Sequence, residues 1–193
     1  MKHEQMAAFS LRRVSSWVEW LRIRWLYGRA FPREERKPFA IIRRMHRKGK
    51  TDVWVLRQDG RFAGFASTIN GDGLILLDYL AVAEDVRGRG VGSAALAALA
   101  EAYSGQGLFV EIESAFAPGE DQPQRLRRRA FYERAGFVPC RTLASVFGVP
   151  MELLGRGCCV DFPAYHHFYC MHYSAWAGAH ILPLQWPDGV DTE

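Results

Sequence analysis

The sequence predicts one α/β domain built round a mixed β-sheet, and three observations carry that expectation. A chain of 193 residues is about one domain long and can bury a sizeable core. Three strand-like runs between residues 52 and 82 are separated by Asp59-Gly60 and Asn70-Gly71, strong hairpin signals that predict an antiparallel meander. Beyond them, helical and strand-like periodicities alternate, as they do in α/β sheets.

The elements follow in order. Phe9 to Val14 reads as a first strand. Ser15 or Ser16 can cap a helix running to about Ala30, where Pro32 stops it. Lys37-Pro38 opens a second helix, about Phe39 to Arg47, ended by Gly49. The meander strands are Asp52 to Arg57, Phe62 to Ile69 and Leu74 to Val82. Gly90 to Tyr103 is rich in Ala and Leu and predicts a helix with Leu96, Leu99 and Tyr103 on one face. Leu108 to Glu113 is a strand. Ser114 to Gln124, with Pro118-Gly119 and Pro123, is a loop, and Arg125 to Ala135 is a helix stopped by Gly136. Phe137 to Val146 and Met151 to Leu154 are further strands, and a short helix is expected around Ala164 to Tyr173.

Composition narrows the function classes. With 49% hydrophobic and 24% charged residues, disorder is excluded for most of the chain. No apolar stretch reaches the ~18 residues of a membrane span. Met1 to Ser10 holds no apolar block of signal-peptide length, so a cytoplasmic protein with no membrane partner is expected. The net charge of +4 is uneven, at +10 over residues 1–50 and −6 over the rest. The basic quarter fits either a nucleic-acid face or the solvated side of an amphipathic helix. Trp17, Trp20, Leu21, Trp25 and Leu26 interleave with the charges and favour the helix, so no nucleic-acid partner is expected. The acidic remainder favours a cationic acceptor.

Cys140, Cys158, Cys159 and Cys170 form no C-x-x-C spacing and read as reduced thiols. In the aromatic and His-rich extension, residues 156–193, His166 and His167 are adjacent and point to different helix faces. No metal is therefore expected. Tyr165, Phe168, Tyr169 and Met171 suit packing, either over a substrate cleft or in a homodimer contact.

The segment that carries chemistry runs from Leu80 to Ser93. An apolar strand ends, a turn follows, and Gly88, Gly90 and Gly92 open a helix. Free N–H groups at a helix start, with the positive end of its dipole, bind anions, and glycines let a phosphate approach the backbone. Arg87 and Arg89 add positive charge. A dinucleotide G-x-G-x-x-G fails because position 93 is Ser93, and the Gly-Lys-Ser/Thr of a Walker loop is absent.

R-x-x-G-x-G, as Arg87, Gly90 and Gly92 after Leu80-Ala81-Val82, resembles the acyl-CoA pyrophosphate loop of the GNAT superfamily of N-acetyltransferases. Phe131-Tyr132-Glu133-Arg134-Ala135-Gly136-Phe137 resembles that family's F-Y-x-x-x-G-F segment, and Ala30 to Pro38 resembles a stretch seen in bacterial members. The resemblance covers roughly residues 8 to 155. It implies a mostly antiparallel central sheet flanked by helices on both faces. It also implies acetyl-CoA as co-substrate, with its pantetheine arm between splayed strands, here Leu74–Val82 and Leu108–Glu113. Backbone groups of Ala81 and Val82 would pair with the pantetheine, and those of Arg87, Gly88, Arg89, Gly90, Val91, Gly92 and Ser93 would hold the pyrophosphate. A primary amine, on a small molecule or peptide, would attack the thioester directly.

Tyr132 matches the tyrosine that often protonates the departing thiolate; a phenol near pKa ~10 suits a thiol near ~8.5. The base is open between Glu113, Asp78, Glu111 and water. Glu111 and Glu113 share one face of their strand, and Asp78 is a carboxylate inside an apolar run, where it is functional or paired. The alternative to an enzyme is a non-catalytic acyl-CoA-binding sensor on the same fold.

Overall fold

The computed structural model describes residues 8–187. Residues 1–7, and residues 188–193 of the expected C-terminal extension, lie outside the described residues. The chain's contacts cluster in two compact units. The first runs to Ile69 and adds Leu77–Ala102; the second comprises Asn70–Leu76 and the chain from Tyr103 onward. Among the described residues, eight strands are hydrogen-bonded in the order Phe9–Arg13, Thr51–Gln58, Arg61–Asn70, Leu74–Val82, Gly107–Glu113, Val149–Arg156, Val138–Val146 and Ile181–Leu184. The sheet is mixed and mostly antiparallel, as the resemblance implied.

The first unit begins with β1 (Phe9–Arg13) and α1 (Trp17–Ala30). Ser16 caps α1 through the Glu19 N–H, and Glu19 answers from the third helical position, forming a capping box. Glu19 is buried and binds Arg12 and Arg57. Burial alone would raise its pKa, but the Ser15 and Ser16 N–H groups and the two arginines outweigh that and hold it below the ordinary carboxylate range. Helix α2 (Phe39–Arg47) follows Pro38. Strands β2 (Thr51–Gln58) and β3 (Arg61–Asn70) form the expected hairpin, with Gln58 opposite Arg61 and Asp59-Gly60 as a two-residue turn. At Gly64 an added Cβ would lie 2.2 Å from the Ala81 carbonyl, so β3 approaches the end of β4 (Leu74–Val82) only without a side chain there.

Alternation along β2 gives the first unit helices on both faces. Val53 and Val55 enter one core with Ile23, Leu26 and Tyr27 of α1, Ile42 of α2, Phe65 and Tyr79. Helix α3 (Val91–Ala102) contacts β1 and β2, and its Ala98 and Ala102 line a cavity with Trp54, Phe9 and Leu11. Only part of the expected inner face of α1 is inside. Leu26 is buried and Trp20 packs against the core, whereas Trp17, Leu21 and Trp25 face solvent. Core contact is already supplied by Ile23, Leu26 and Tyr27, which leaves no inner surface for a second stripe.

In the second unit, Leu74–Leu76 of β4 run parallel to Gly107–Phe109 of β5 (Gly107–Glu113). Strand β5 then continues along β7 (Val149–Arg156) to the pair Glu113 and Met151. Helix α4 (Gln122–Arg134) starts three residues earlier than expected, with Pro123 in its first turn, where a missing N–H costs nothing. Strand β6 (Val138–Val146) pairs with β7 and with β8 (Ile181–Leu184). Helix α5 (Phe162–His172) lays Tyr165 and Phe168 against Phe109, with ring centroids 6.4 and 5.2 Å away. A one-turn helix α6 (Ala175–Gly178) precedes β8. All four cysteines are free, and Cys170 lies 3.9 Å from His166 Nδ1.

Candidate active site

In the first unit the strand end, the turn and the helix start expected to bind an anion are continuous. A 3₁₀ turn, Glu84–Val86, links β4 to Arg87–Gly90, and α3 begins at Val91. Gly88 and Gly90 have φ of 75° and 78°, a region that strains any residue with a Cβ. A Cβ built on either would meet nothing within 4 Å, so both flank open space. The first helical bond runs from Ala94 N–H to the Gly90 carbonyl at 2.9 Å. Among the described residues, the N–H groups of Gly88 to Ser93 have no main-chain partner. Room, unpartnered donors and the positive helix end are what a pyrophosphate requires.

Arg87 folds back, its Nε donating to the Val82 carbonyl at 3.2 Å, and so braces the loop on the end of β4. Asp78, also on β4, is paired. Lys37 Nζ lies 2.5 Å from its Oδ1, and the Asp78 side chain is only 7% exposed.

In the second unit the alternation along β5 is as expected, with Val110 and Ile112 buried and Glu111 and Glu113 half-buried. Their partners differ. Glu111 accepts from the Tyr165 hydroxyl, and from Tyr169 Oη at 2.7 and 2.9 Å. Burial first, and then the Glu111 charge, push both phenols well above their ordinary pKa, so they remain donors. Glu113 Oε2 lies 3.8 Å from Arg128 Nη1, with its side chain a quarter exposed.

Tyr132 is buried on α4 between the rings of Phe131 and Phe137, at 5.2 and 5.5 Å. Gly136, at φ 83°, ends the helix, and the Phe137 N–H returns to the Tyr132 carbonyl at 3.1 Å. The F-Y-x-x-x-G-F spacing is thus a helix stop that folds Phe137 onto Tyr132. Burial pushes the Tyr132 phenol up to about 12, partly offset by Arg128. Arg128 therefore acts on both Glu113 and Tyr132, and it links two of the expected site residues.

Three contributors were missed from sequence. Arg128 and Arg129 sit in a run, Arg127-Arg128-Arg129, that gives no sign of direction. Glu152 of β7 is fully buried, accepts the Ala115 N–H at 3.1 Å and pairs with Arg129 at 3.3 Å. Burial raises its pKa despite those partners. A carboxylate inside the apolar run Met151 to Leu154 was its visible signal, the same one that marks Asp78.

Comparison with known proteins bears on the domain and the fold. Residues 49–139 match the model of an acetyltransferase (GNAT) domain. That span holds β2 to β5, the glycine loop, α3 and α4. A protein of Bacteroides thetaiotaomicron assigned to the GNAT acetyltransferases is 19% identical, with TM-score 0.73, over 86% of this chain and 99% of its own. The ribosomal-protein-S18-alanine N-acetyltransferase of Escherichia coli is 18% identical, with TM-score 0.60, over 77% and 93%. A Bacillus subtilis acetyltransferase solved with CoA is 12% identical, with TM-score 0.56, over 78% and 97%. No curated protein matches the chain by sequence. The matched domain, the shared fold and the glycine loop opening α3 converge: residues 49–139 match an acetyltransferase (GNAT) domain, and the chain has the fold of GNAT-family acetyltransferase structures.

Proposed function

We propose that this acetyltransferase domain moves an acetyl group from acetyl-CoA to a primary amine by direct attack. The observation that carries the reading is the cradle from Gly88 to Ser93, open at both left-handed glycines and rich in unpartnered donors. Acetyl-CoA supplies an activated acyl carbonyl and a thiolate leaving group. The N–H groups of Gly88 to Ser93, with Arg89, hold the diphosphate charge. Main-chain groups of Ala81 and Val82 pair with the pantetheine amides; the Val82 carbonyl keeps one lone pair beside its bond from Arg87.

Glu113 takes the proton from the attacking amine, directly or through one water. Its loose, partly solvated pairing with Arg128 leaves an oxygen free, whereas Asp78 and Glu111 are bound by closer partners. Tyr132 donates to the departing sulfur. Its phenol near 12 lies above a thiol near ~8.5, so the hydroxyl stabilises the thiolate as a hydrogen-bond donor before any proton transfer is complete.

The test is acetyl-CoA with a broad amine panel, read by free-thiol release, alongside calorimetry of CoA binding. Turnover with at least one amine is expected. Binding without turnover against any amine favours the sensor, and absence of CoA binding overturns the reading.

A further inference from the structure

Helix α1 has two apolar faces. Ile23, Leu26 and Tyr27 enter the first unit's core, while Trp17, Leu21 and Trp25, at i, i+4 and i+8, are 73%, 55% and 62% exposed. Val18 is exposed beside them. At 3.6 residues per turn these four side chains cover an arc of about 100°. Arg24 borders that arc on one edge, and Arg22 and Arg29 border it on the other. The single acidic residue of α1, Glu19, is buried and bound to Arg12 and Arg57. The outer face is therefore an apolar stripe flanked by arginines, with no exposed carboxylate from α1 itself; Glu84 lies 3.9 Å from Arg29 at one edge.

We propose that this face docks the protein peripherally on an anionic phospholipid surface. Trp17, Leu21 and Trp25 enter the boundary between headgroups and acyl chains, and Arg22, Arg24 and Arg29 meet the lipid phosphates. Aromatic and aliphatic groups on one side, flanked by cations, suit a helix lying in that interface. The charge is complementary: residues 1–50 carry a net +10. At 14 residues α1 is about 21 Å long, enough to lie on a bilayer and too short to cross one. The expectation of no membrane partner rested on spanning length and does not bear on surface docking.

Other occupants fit less well. A second copy of α1 would bring Arg22, Arg24 and Arg29 against the same arginines, with Glu84, 3.9 Å from Arg29, as the carboxylate beside them. A nucleic-acid strand needs open aromatic faces for stacking. The Arg29 guanidinium already covers the Trp25 ring at 4.9 Å, and Leu21 stands between the two tryptophans.

Flotation of the full chain with vesicles tests the proposal. Vesicles of phosphatidylcholine with phosphatidylglycerol should carry the protein, and phosphatidylcholine alone should not. The combined Trp17→Ser, Leu21→Ser, Trp25→Ser variant should lose binding at an unchanged Tm. Replacing Arg22, Arg24 and Arg29 by Gln should weaken binding on the order of 100-fold. Hydrogen exchange on the wild type supplies a readout without substitutions, since the anionic vesicles should protect α1. Absence of vesicle binding, equal binding to both vesicle types, or binding without protection of α1 overturns the proposal. So does a serine variant that loses self-association or oligonucleotide binding while its flotation is unchanged.

Discussion

Lys37 holds Asp78. Its ammonium lies 2.5 Å from Oδ1 and also sits over the Tyr79 ring at 5.4 Å. The same stretch is tied to β4 by the main chain, because Tyr79 Oη donates to the Glu35 carbonyl and accepts the Lys37 N–H. Asp78 thus fastens the segment between α1 and α2. Lys37→Met strands a buried carboxylate. Its cost is expected at about 1–3 kcal/mol, below the 3–5 of a fully buried pair, because Lys37 remains a quarter exposed. Thermal melts should show that loss, with acetyl-CoA affinity retained. Asp78→Asn should leave kcat/KM near wild type; a large fall in a folded Asp78→Asn enzyme would move the base role to Asp78.

Glu113 and Glu111 are predicted to separate cleanly. Glu113→Gln removes the proposed base but only a weak, solvated ion pair. kcat/KM should therefore fall by about 10²-fold or more at a nearly constant Tm. Glu111→Gln weakens the charge-assisted bonds to Tyr165 and Tyr169 that seat α5 on β5. It should lower stability by about 1–3 kcal/mol. The reverse pattern, with Glu111→Gln slow but stable, would assign the proton transfer to the tyrosine-bound carboxylate.

The loop is predicted to fail in two ways. Gly90→Ala forces a Cβ into a left-handed conformation, so about 1–2 kcal/mol of strain should appear in the melt. Gly92→Val lies in the first turn of α3, beyond both left-handed glycines, and adds bulk where the diphosphate is expected. Calorimetry should show at least a tenfold loss of acetyl-CoA affinity with helix content kept. Unchanged affinity in a folded Gly92→Val protein would dismiss the cofactor assignment.

What could be read from sequence was what local chemistry dictates. Asp59-Gly60 specified a hairpin because both residues had to adopt positive φ. The spacing of Gly136 and Phe137 after Tyr132 described a helix stop. Asp78 announced itself as a charge in an apolar run. Long-range pairings stayed hidden. Tyr165 and Tyr169 meet a carboxylate 54 and 58 residues away, and no periodicity encodes that. Strand β8 holds Pro183 and α6 has four residues, too little signal for either. The two-faced helix α1 misled in a physical way. A stripe of Trp17, Leu21 and Trp25 has helical spacing whichever side it faces, and burial was decided by Ile23, Leu26 and Tyr27.

Tyr132→Phe keeps the ring between Phe131 and Phe137 and removes only the hydroxyl. kcat should fall by roughly 10²-fold with acetyl-CoA affinity little changed, because the lost interaction forms only as the sulfur departs. The raised pKa adds a pH signature. With the folded phenol near 12, the hydroxyl stays protonated through pH 10, so the wild-type rate should show no alkaline limb from this residue below that pH. Stability follows with the sign of a raised pKa. An unfolded tyrosine ionises near ~10, so the contribution of the neutral buried phenol is complete below that pH. It is lost as pH rises from there towards about 12. Tyr132→Phe should therefore flatten the stability profile in that window and leave it parallel to wild type at neutral pH. A wild-type rate that falls between pH 8 and 10, with the fall abolished in Tyr132→Phe, would show a phenol far more acidic than this burial allows and would reject the donor role.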